Sequence, residues 1–167
     1  EAVATLKEMG VINGKSNTEF APNDNVTREE FVKMIVLLAD INVEHGDMEF
    51  DDINESDWFY TPIKAAKQKN IVNGISESTF GVGQKITRQD MAVMIKRILD
   101  AKNIPVTQTS ETFEDDAKIS DYAKNAVYKV RDAGVINGYA DNTFAPSASL
   151  TRAEAATVII KLLDKLQ

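Results

Sequence analysis

The chain has 167 residues, of which 43% are hydrophobic, and its formal net charge is −7. This hydrophobic content can form a buried core, which excludes a disordered chain, and the acidic balance excludes a protein that wraps nucleic acid through diffuse positive charge. Cysteine is absent, which excludes disulfides and thiolate chemistry. No apolar run in the sequence is long enough to span a membrane.

One motif ending in Asn-Gly occurs three times, at residues 10–14, 70–74 and 134–138. Each Asn is followed fourteen residues later by Thr-Arg, and the copies lie 60 and 64 residues apart. Constant spacing within copies and variable spacing between them is typical of an array of one supersecondary unit. We predict copies at 1–42, 43–105 and 106–167. The first copy opens in mid-unit, so we expect a fragment or processed form of a larger protein.

Each copy is predicted to contain two helices joined by a turn-rich loop. In the first helix, Asp57 and Asp121 are the predicted N-caps of copies two and three, and Pro62 is predicted to occupy the first helical turn position. The Asn-Gly pair is expected to end this helix or to form a tight turn, since both residues tolerate positive φ.

The loop of each copy contains a single Phe that is predicted to insert into the core, namely Phe20, Phe80 and Phe144. In copy two, Gly81-Val82 replaces the Ala-Pro of the other copies, which predicts a looser loop. The second helix is predicted to begin after Thr27, Thr87 and Thr151. Glu follows three residues after the first and last of these, forming capping boxes, whereas the Asp after Thr87 is shorter and forms a weaker one.

Apolar residues recur at helical spacing along each second helix. A two-helix unit cannot enclose its own apolar stripe, but three units can. The predicted fold is therefore all-α with little strand, the three repeats closing into a pseudo-threefold bundle.

Neither an enzyme motif nor a histidine-based metal motif is present, so we expect no catalytic activity and no cofactor. The lone His45 lies in a polar stretch and is predicted to be a solvated linker residue. The segment from Asp52 to Asp57 imitates the start of a calcium loop but lacks the glycine and glutamate that such a loop requires. A loop-capping acidic cluster is the preferred interpretation, and weak calcium binding stays open.

The repeated arginines, Arg28, Arg88 and Arg152, each lie one residue inside a helix start, where positive charge is unfavourable. One explanation is structural: each guanidinium pairs with a carboxylate of a neighbouring repeat, for instance in the Asp51-Asp52 or Asp115-Asp116 cluster. The other is functional: the arginine and the helix-terminal amides form an anion site. The aromatics Trp58 and Tyr122 favour the functional explanation, because a flat apolar face beside anion donors suits a charged sugar. If the arginines serve only to bind a ligand, their substitution by alanine is expected to weaken binding with little loss of thermal stability.

Three motifs resemble the S-layer homology (SLH) domain: Thr-Arg-Ala-Glu at 151–154, Gly-Tyr-Ala-Asp-Asn-Thr-Phe-Ala-Pro at 138–146, and Phe-Asp-Asp followed by Asp-Trp at 50–58. The resemblance implies a non-catalytic extracellular module that anchors bacterial surface proteins to the cell wall. It also implies a ligand, a secondary cell wall polymer bearing pyruvate ketals on N-acetylmannosamine, bound in grooves between repeats.

The resemblance maps its arginine motif onto all three copies and its helix-start Trp onto Trp58 and, less faithfully, Tyr122. The candidate ligand-binding residues are Arg28, Arg88, Arg152, Trp58, Tyr122, Gly14, Gly74, Gly138 and Tyr139. Copy one lacks the Phe-Asp-Asp and aromatic segment, so we expect the sites to differ in affinity. The alternative hypothesis is a helical protein–protein adaptor.

Overall fold

The computed structural model describes residues 21–167 and, of the first twenty, only Ala4 and Lys7. Residues 21–167 form five α-helices and one 3-10 turn: α1 Arg28–Leu38, α2 Tyr60–Gln68, α3 Arg88–Ala101, the turn Asp116–Lys118, α4 Asp121–Asp132 and α5 Arg152–Leu166. The predicted all-α class is confirmed. In this part of the chain, helices that combine the length and apolarity of a membrane span do not occur. The predictions for Gly14 and Phe20 lie outside the described residues.

Helices α1, α3 and α5 begin where the sequence predicts. The hydroxyls of Thr27 and Thr151 each accept a hydrogen bond from the third helical amide. The carboxylate of the Glu at that position accepts one from the Thr amide, which completes the capping box. Thr87 accepts from the Asp90 amide at 3.3 Å. The three starts are therefore encoded by residues within one helical turn.

The predicted starts of the other two helices are wrong by one or two residues. The carboxylate of Asp57 accepts from the Asn54 amide at 2.8 Å, in a turn that precedes α2. Helix α2 then begins at Tyr60, so Pro62 is its third residue. Asp121 is itself the first residue of α4, after Ser120 at the N-cap.

The ends of α2 and α4 also differ from the prediction. The left-handed residues that follow these helices are Asn70 and Gly134, with φ of 55° and 74°. This conformation directs the chain out of a helix and is common just past a helix C-terminus. Gly74 and Gly138 lie in the next loop without positive φ, so the predicted role of the Asn-Gly pair in ending the helix is wrong.

The core joins the second helix of one copy to the first helix of the next. Helix α1 packs on α2 and on α5, and α3 packs on α4. The loop residues Phe80 and Phe144 are fully buried in this core, as predicted. Most of the predicted stripe residues are buried, and Leu163 and Leu166 are partly buried at its edge. Burial of these stripes stabilises α1, α3 and α5, because helices of 11 to 15 residues are marginal in isolation.

The segments that precede α1, α3 and α5 are hydrogen-bonded in a ring. The amide of Val26 donates to Leu150 O at 2.9 Å, that of Leu150 donates to Ile86 O at 3.3 Å, and that of Ile86 donates to Val26 O at 3.0 Å. We call these three residues the amide ring. The ring links all three copies directly, while the pseudo-threefold symmetry and the copy boundaries stay predictions.

Candidate functional site

The repeated arginines are the first residues of α1, α3 and α5, and each guanidinium reaches into another copy. Arg28, only 5% exposed, donates from Nε to Phe80 O at 3.1 Å and from Nη2 to Asn73 O at 3.3 Å. Arg88, 4% exposed, donates in the same way to Phe144 O at 2.7 Å and to Asn137 O at 3.2 Å. Each of these two arginines therefore fastens the loop of the following copy to a helix start.

Each arginine also faces the acidic residue of another helix start. Arg28 Nη1 lies 3.3 Å from Asp90 Oδ2, Arg88 Nη1 lies 3.8 Å from Glu154 Oε1, and Arg152 Nη1 lies 3.9 Å from Glu30 Oε2. Glu154 and Glu30 are the same residues that close the capping boxes. The structural explanation thus holds for all three arginines. The predicted partners were wrong, because the clusters at 51–52 and 115–116 make other contacts.

The aspartates two residues after Phe50 and Phe113 cap the loops instead. Asp52 accepts from the amides of Phe80 and Gly81 at 2.8 Å and of Val82 at 3.1 Å. Burial alone would raise the pKa of Asp52, but the hydrogen bonds from these amides outweigh it and hold the pKa below its ordinary value. The predicted loop-capping role is therefore confirmed.

Asp115 has the equivalent position in copy three. It accepts from the amides of Phe144 and Ala145, both at 2.8 Å. Ala145 has φ of 54°, a conformation that is costly for alanine. The carboxylate therefore holds a strained loop in place, which leaves it unavailable to an arginine.

An open cleft of about 480 Å³ lies beside Arg28. Three of the predicted residues line it: Arg28, Gly74 and Tyr122. The Tyr122 hydroxyl donates to Asp90 Oδ1 at 2.6 Å, while 64% of the residue stays exposed. Burial, and then the hydrogen bond to Asp90, raise the pKa of Tyr122 to about 12. Arg28 is thus both ion-paired and adjacent to an open cleft, so the two explanations of the arginine are compatible.

Six further residues line the same cleft without having been predicted: Asn73, Ile75, Asp90, Val93, Met94 and Arg97. Arg97 brings a second guanidinium. Because Arg97 occurs in one copy only, the features that the three copies share do not point to it. The helical spacing of Asp90, Val93 and Arg97, at steps of three and four residues, would have placed Arg97 on the face of Asp90.

The remaining predicted residues lie elsewhere. Tyr139, 44% exposed, lies over the Arg88 guanidinium with 4.6 Å between ring centroid and Cζ, and its hydroxyl donates to Glu154 at 3.3 Å. Trp58, 56% exposed, lies beside α1, with Lys33 Nζ 5.4 Å from its ring. Trp58 therefore does not contribute to the cleft of Arg28.

Gly74 and Gly138 are required by close packing rather than by φ. A Cβ on Gly74 would lie 2.2 Å from Thr79 O and 2.4 Å from Ser76 O. A Cβ on Gly138 would lie 2.5 Å from Phe113 Cε1. These glycines let the rings of Phe50 and Phe113 pack against the loops, and Gly74 in addition borders the cleft.

The family model described as S-layer homology domain matches residues 1–32, 49–92 and 112–156. The chain belongs to the S-layer homology family. The SLH match repeats three times and covers more than half of the sequence, in agreement with the resemblance found in the motifs. Membership makes the chain a cell-surface anchoring module that is extracellular and associated with the cell wall.

Several known proteins contain a region similar to this SLH chain. An amylopullulanase of Thermoanaerobacterium thermosulfurigenes is 35% identical over 171 residues, covering 99% of this chain and 9% of that protein. The Surface-layer 125 kDa protein of Lysinibacillus sphaericus is 28% identical, covering 99% of this chain and 14% of that protein. A cellulosome-anchoring protein of Acetivibrio thermocellus is 28% identical, covering 87% of this chain and 34% of that protein. The chain thus spans about a third or less of the length of these relatives.

Proposed function

We propose that this SLH module anchors its parent protein by binding an anionic cell wall glycan, a pyruvylated secondary cell wall polymer that contains N-acetylmannosamine. The observation that carries the proposal is the cleft lined by Arg28, Arg97 and Tyr122. The chain as a whole carries a net charge of −7, so a cleft with two guanidinium groups is a local exception that suits an acidic ligand.

The cleft has the size and chemistry that a sugar acid needs. Its volume of about 480 Å³ lies within the usual range for small-molecule sites. The exposed face of Tyr122 offers an apolar surface for a sugar ring, and the arginines offer planar donors that match a carboxylate. The methyl group of the pyruvate ketal could contact Val93 and Ile75 on the cleft wall.

The other predicted residues are proposed to form weaker sites of the same kind. The Arg88 guanidinium lies against the Tyr139 ring and donates to the carbonyl of Asn137, which precedes Gly138. The Arg152 guanidinium lies 3.9 Å from Glu30 of α1, the helix that Trp58 flanks. Several weak sites on one polymer raise the overall affinity by about 10²–10⁴ when the geometry permits. Attachment through repetition therefore does not require one very tight site.

Isothermal titration of the chain with a pyruvylated N-acetylmannosamine monosaccharide tests the proposal, with the same sugar lacking pyruvate as the control. We expect saturable binding of the pyruvylated sugar at one to three sites and at least tenfold weaker binding of the control, since a charge-assisted pair contributes about 1.5–3 kcal/mol. Equal binding of the two sugars, or no binding of either, would refute the proposal. In that case, co-purification of a protein with the chain would support the adaptor hypothesis.

A further inference from the structure

Arg97 lies on the third turn of α3, on the helix face that also carries Asp90 and Val93, and this face forms one wall of the cleft. Its Nη1 donates to Ile71 O at 3.2 Å. With the Asn73 side chain oriented to satisfy its neighbours, the amide oxygen accepts from Arg97 Nη2 at 3.0 Å. Both partners are neutral oxygens that fix the guanidinium at the cleft wall.

The two guanidinium groups of the cleft differ in how their charge is balanced. Arg28 lies 3.3 Å from the Asp90 carboxylate, and Glu29 and Asp52 add negative potential around it. Arg97 has no carboxylate within 4.0 Å among the residues that the structure describes. Burial lowers the pKa of Arg97 without an opposing contribution from a nearby charge. One cation of the cleft is therefore compensated by the protein and the other is not.

The donors of the two groups differ in the same sense. All three nitrogens of Arg28 already donate within the protein, and the residue is 5% exposed. Arg97 is half-buried, and its Nε makes no hydrogen bond with the described part of the chain. A half-buried, uncompensated guanidinium gains more from an incoming carboxylate than a paired one does.

We propose that Arg97, rather than the repeated Arg28, receives the ligand carboxylate and makes this cleft selective for acidic ligands. The proposal rests on the proposed glycan binding. Arg28 then serves as a positioning residue that holds Asn73 and Asp90 in place. Asn73 fixes Arg97, and Asp90 holds the Tyr122 hydroxyl.

The other copies carry different residues at the same distance from their repeated arginine. Nine residues after Arg28, Arg88 and Arg152 lie Leu37, Arg97 and Lys161. Leu37 is 47% exposed and uncharged, and Lys161 is a point charge without the planar fork of arginine. The three copies therefore differ in anion selectivity although the motif arginine is the same in each.

The variant Arg97→Gln tests the inference, because its amide remains a hydrogen-bond donor while the charge is lost. Titration of ¹⁵N-labelled chain with pyruvylated N-acetylmannosamine is followed at the amides of Gly74 and Ile75, which report on this cleft. We expect the dissociation constant at these amides to rise by about 10- to 100-fold, while the value reported by the Gly138 and Tyr139 amides stays unchanged. Arg97→Lys should lie between Arg97→Gln and the original chain.

The same titration with the sugar that lacks pyruvate separates recognition of the carboxylate from a structural effect. If Arg97 is the carboxylate receptor, Arg97→Gln loses the preference for the pyruvylated sugar and binds the neutral sugar as the original chain does. The matched control Lys96→Gln removes a cation that pairs with Asp100 on the same helix and should leave both constants unchanged.

Three outcomes overturn the inference. If the original chain prefers the pyruvylated sugar and Arg97→Gln keeps that preference, glycan binding stands and the role of Arg97 is refuted. If Arg97→Gln weakens the binding of both sugars equally, Arg97 has only a structural role in the cleft. If the original chain binds neither sugar, the proposed function fails and the role of Arg97 fails with it.

Discussion

Substitution of Arg28 by alanine is expected to destabilise the protein, although a receptor arginine would be removable. The side chain donates to Phe80 O and Asn73 O and pairs with Asp90. Removing one partner of a buried ion pair costs about 3–5 kcal/mol, and a hydrogen bond to a charged group contributes about 1.5–3 kcal/mol. Because the Asp90 side chain is 28% exposed and can be rehydrated, we expect a loss of about 3 kcal/mol. At 2–4 °C per kcal/mol, this lowers the melting temperature by roughly 6–12 °C.

Thermal unfolding followed by circular dichroism measures this loss. The control Lys33→Ala removes a cation from the same helix, one whose Nζ lies 5.4 Å from the centre of the Trp58 ring, and should change the melting temperature by less than about 3 °C. Arg28→Lys should be intermediate, because an ammonium keeps the charge but lacks the planar fork that reaches two carbonyls at once. A melting temperature of Arg28→Ala within 2 °C of the original would contradict the structural role of Arg28.

Two further predictions concern the loops. Asp52→Asn should lower the free energy of unfolding by about 1–3 kcal/mol at pH 7, whereas Asp51→Asn, an exposed neighbour, should change it by less than about 0.5 kcal/mol. The pKa of folded Asp52 lies below its ordinary value of 3.8, so the contribution of Asp52 to stability is present above that pH and is lost as the pH falls through the lower folded pKa. Urea unfolding should therefore show that the stability difference between Asp52→Asn and the original chain vanishes in strong acid. A difference that is independent of pH would contradict this. Gly74→Ala should cost about 3 kcal/mol or more because its Cβ meets two backbone oxygens. The control Gly83→Ala, with φ of 78° and no neighbouring atom within 4 Å of the new Cβ, should cost only about 1–2 kcal/mol. If denaturant unfolding shows that Gly74→Ala and Gly83→Ala lose the same free energy of unfolding, the packing role of Gly74 is refuted.

The parts of the fold that the sequence predicted correctly are those set by neighbouring residues. The starts of α1, α3 and α5 depend on Thr and an acidic residue three positions later, which lie within one helical turn. The burial of Phe80 and Phe144 follows from a large apolar side chain in an otherwise polar loop. The predicted start of α2 is wrong because the Asp57 carboxylate accepts from the Asn54 amide of a preceding turn and not from a helix amide. The preference of Asp for turns and for N-caps does not by itself decide between the two.

The parts that the sequence could not predict depend on contacts between copies. Asp90 was recognised as a weak capping residue, but its pairing with Arg28 crosses 62 positions of the chain. The sequence predicts that Asp52 belongs to a loop-capping cluster. It does not identify the hydrogen bond that the carboxylate accepts from the Gly81 amide, 29 positions away, because only the folded chain brings the two together. Arg97 is not among the predicted residues because it occurs in one copy only, and its hydrogen bond to Ile71 O crosses 26 positions of the chain.

The amide ring has a consequence for the order in which the molecule folds. Of its three hydrogen bonds, only that from Ile86 to Val26 can form before Leu150 is present. A chain that is still emerging, from the ribosome or through a membrane, therefore lacks two of the three until its last copy arrives. Long-range closure of this kind slows folding, because loop entropy is lost before the contacts form. We expect the amides of Val26 and Leu150 to become protected from hydrogen exchange together and only after the third copy is present, so a chain that stops short of Leu150 stays less rigid than the three-copy module.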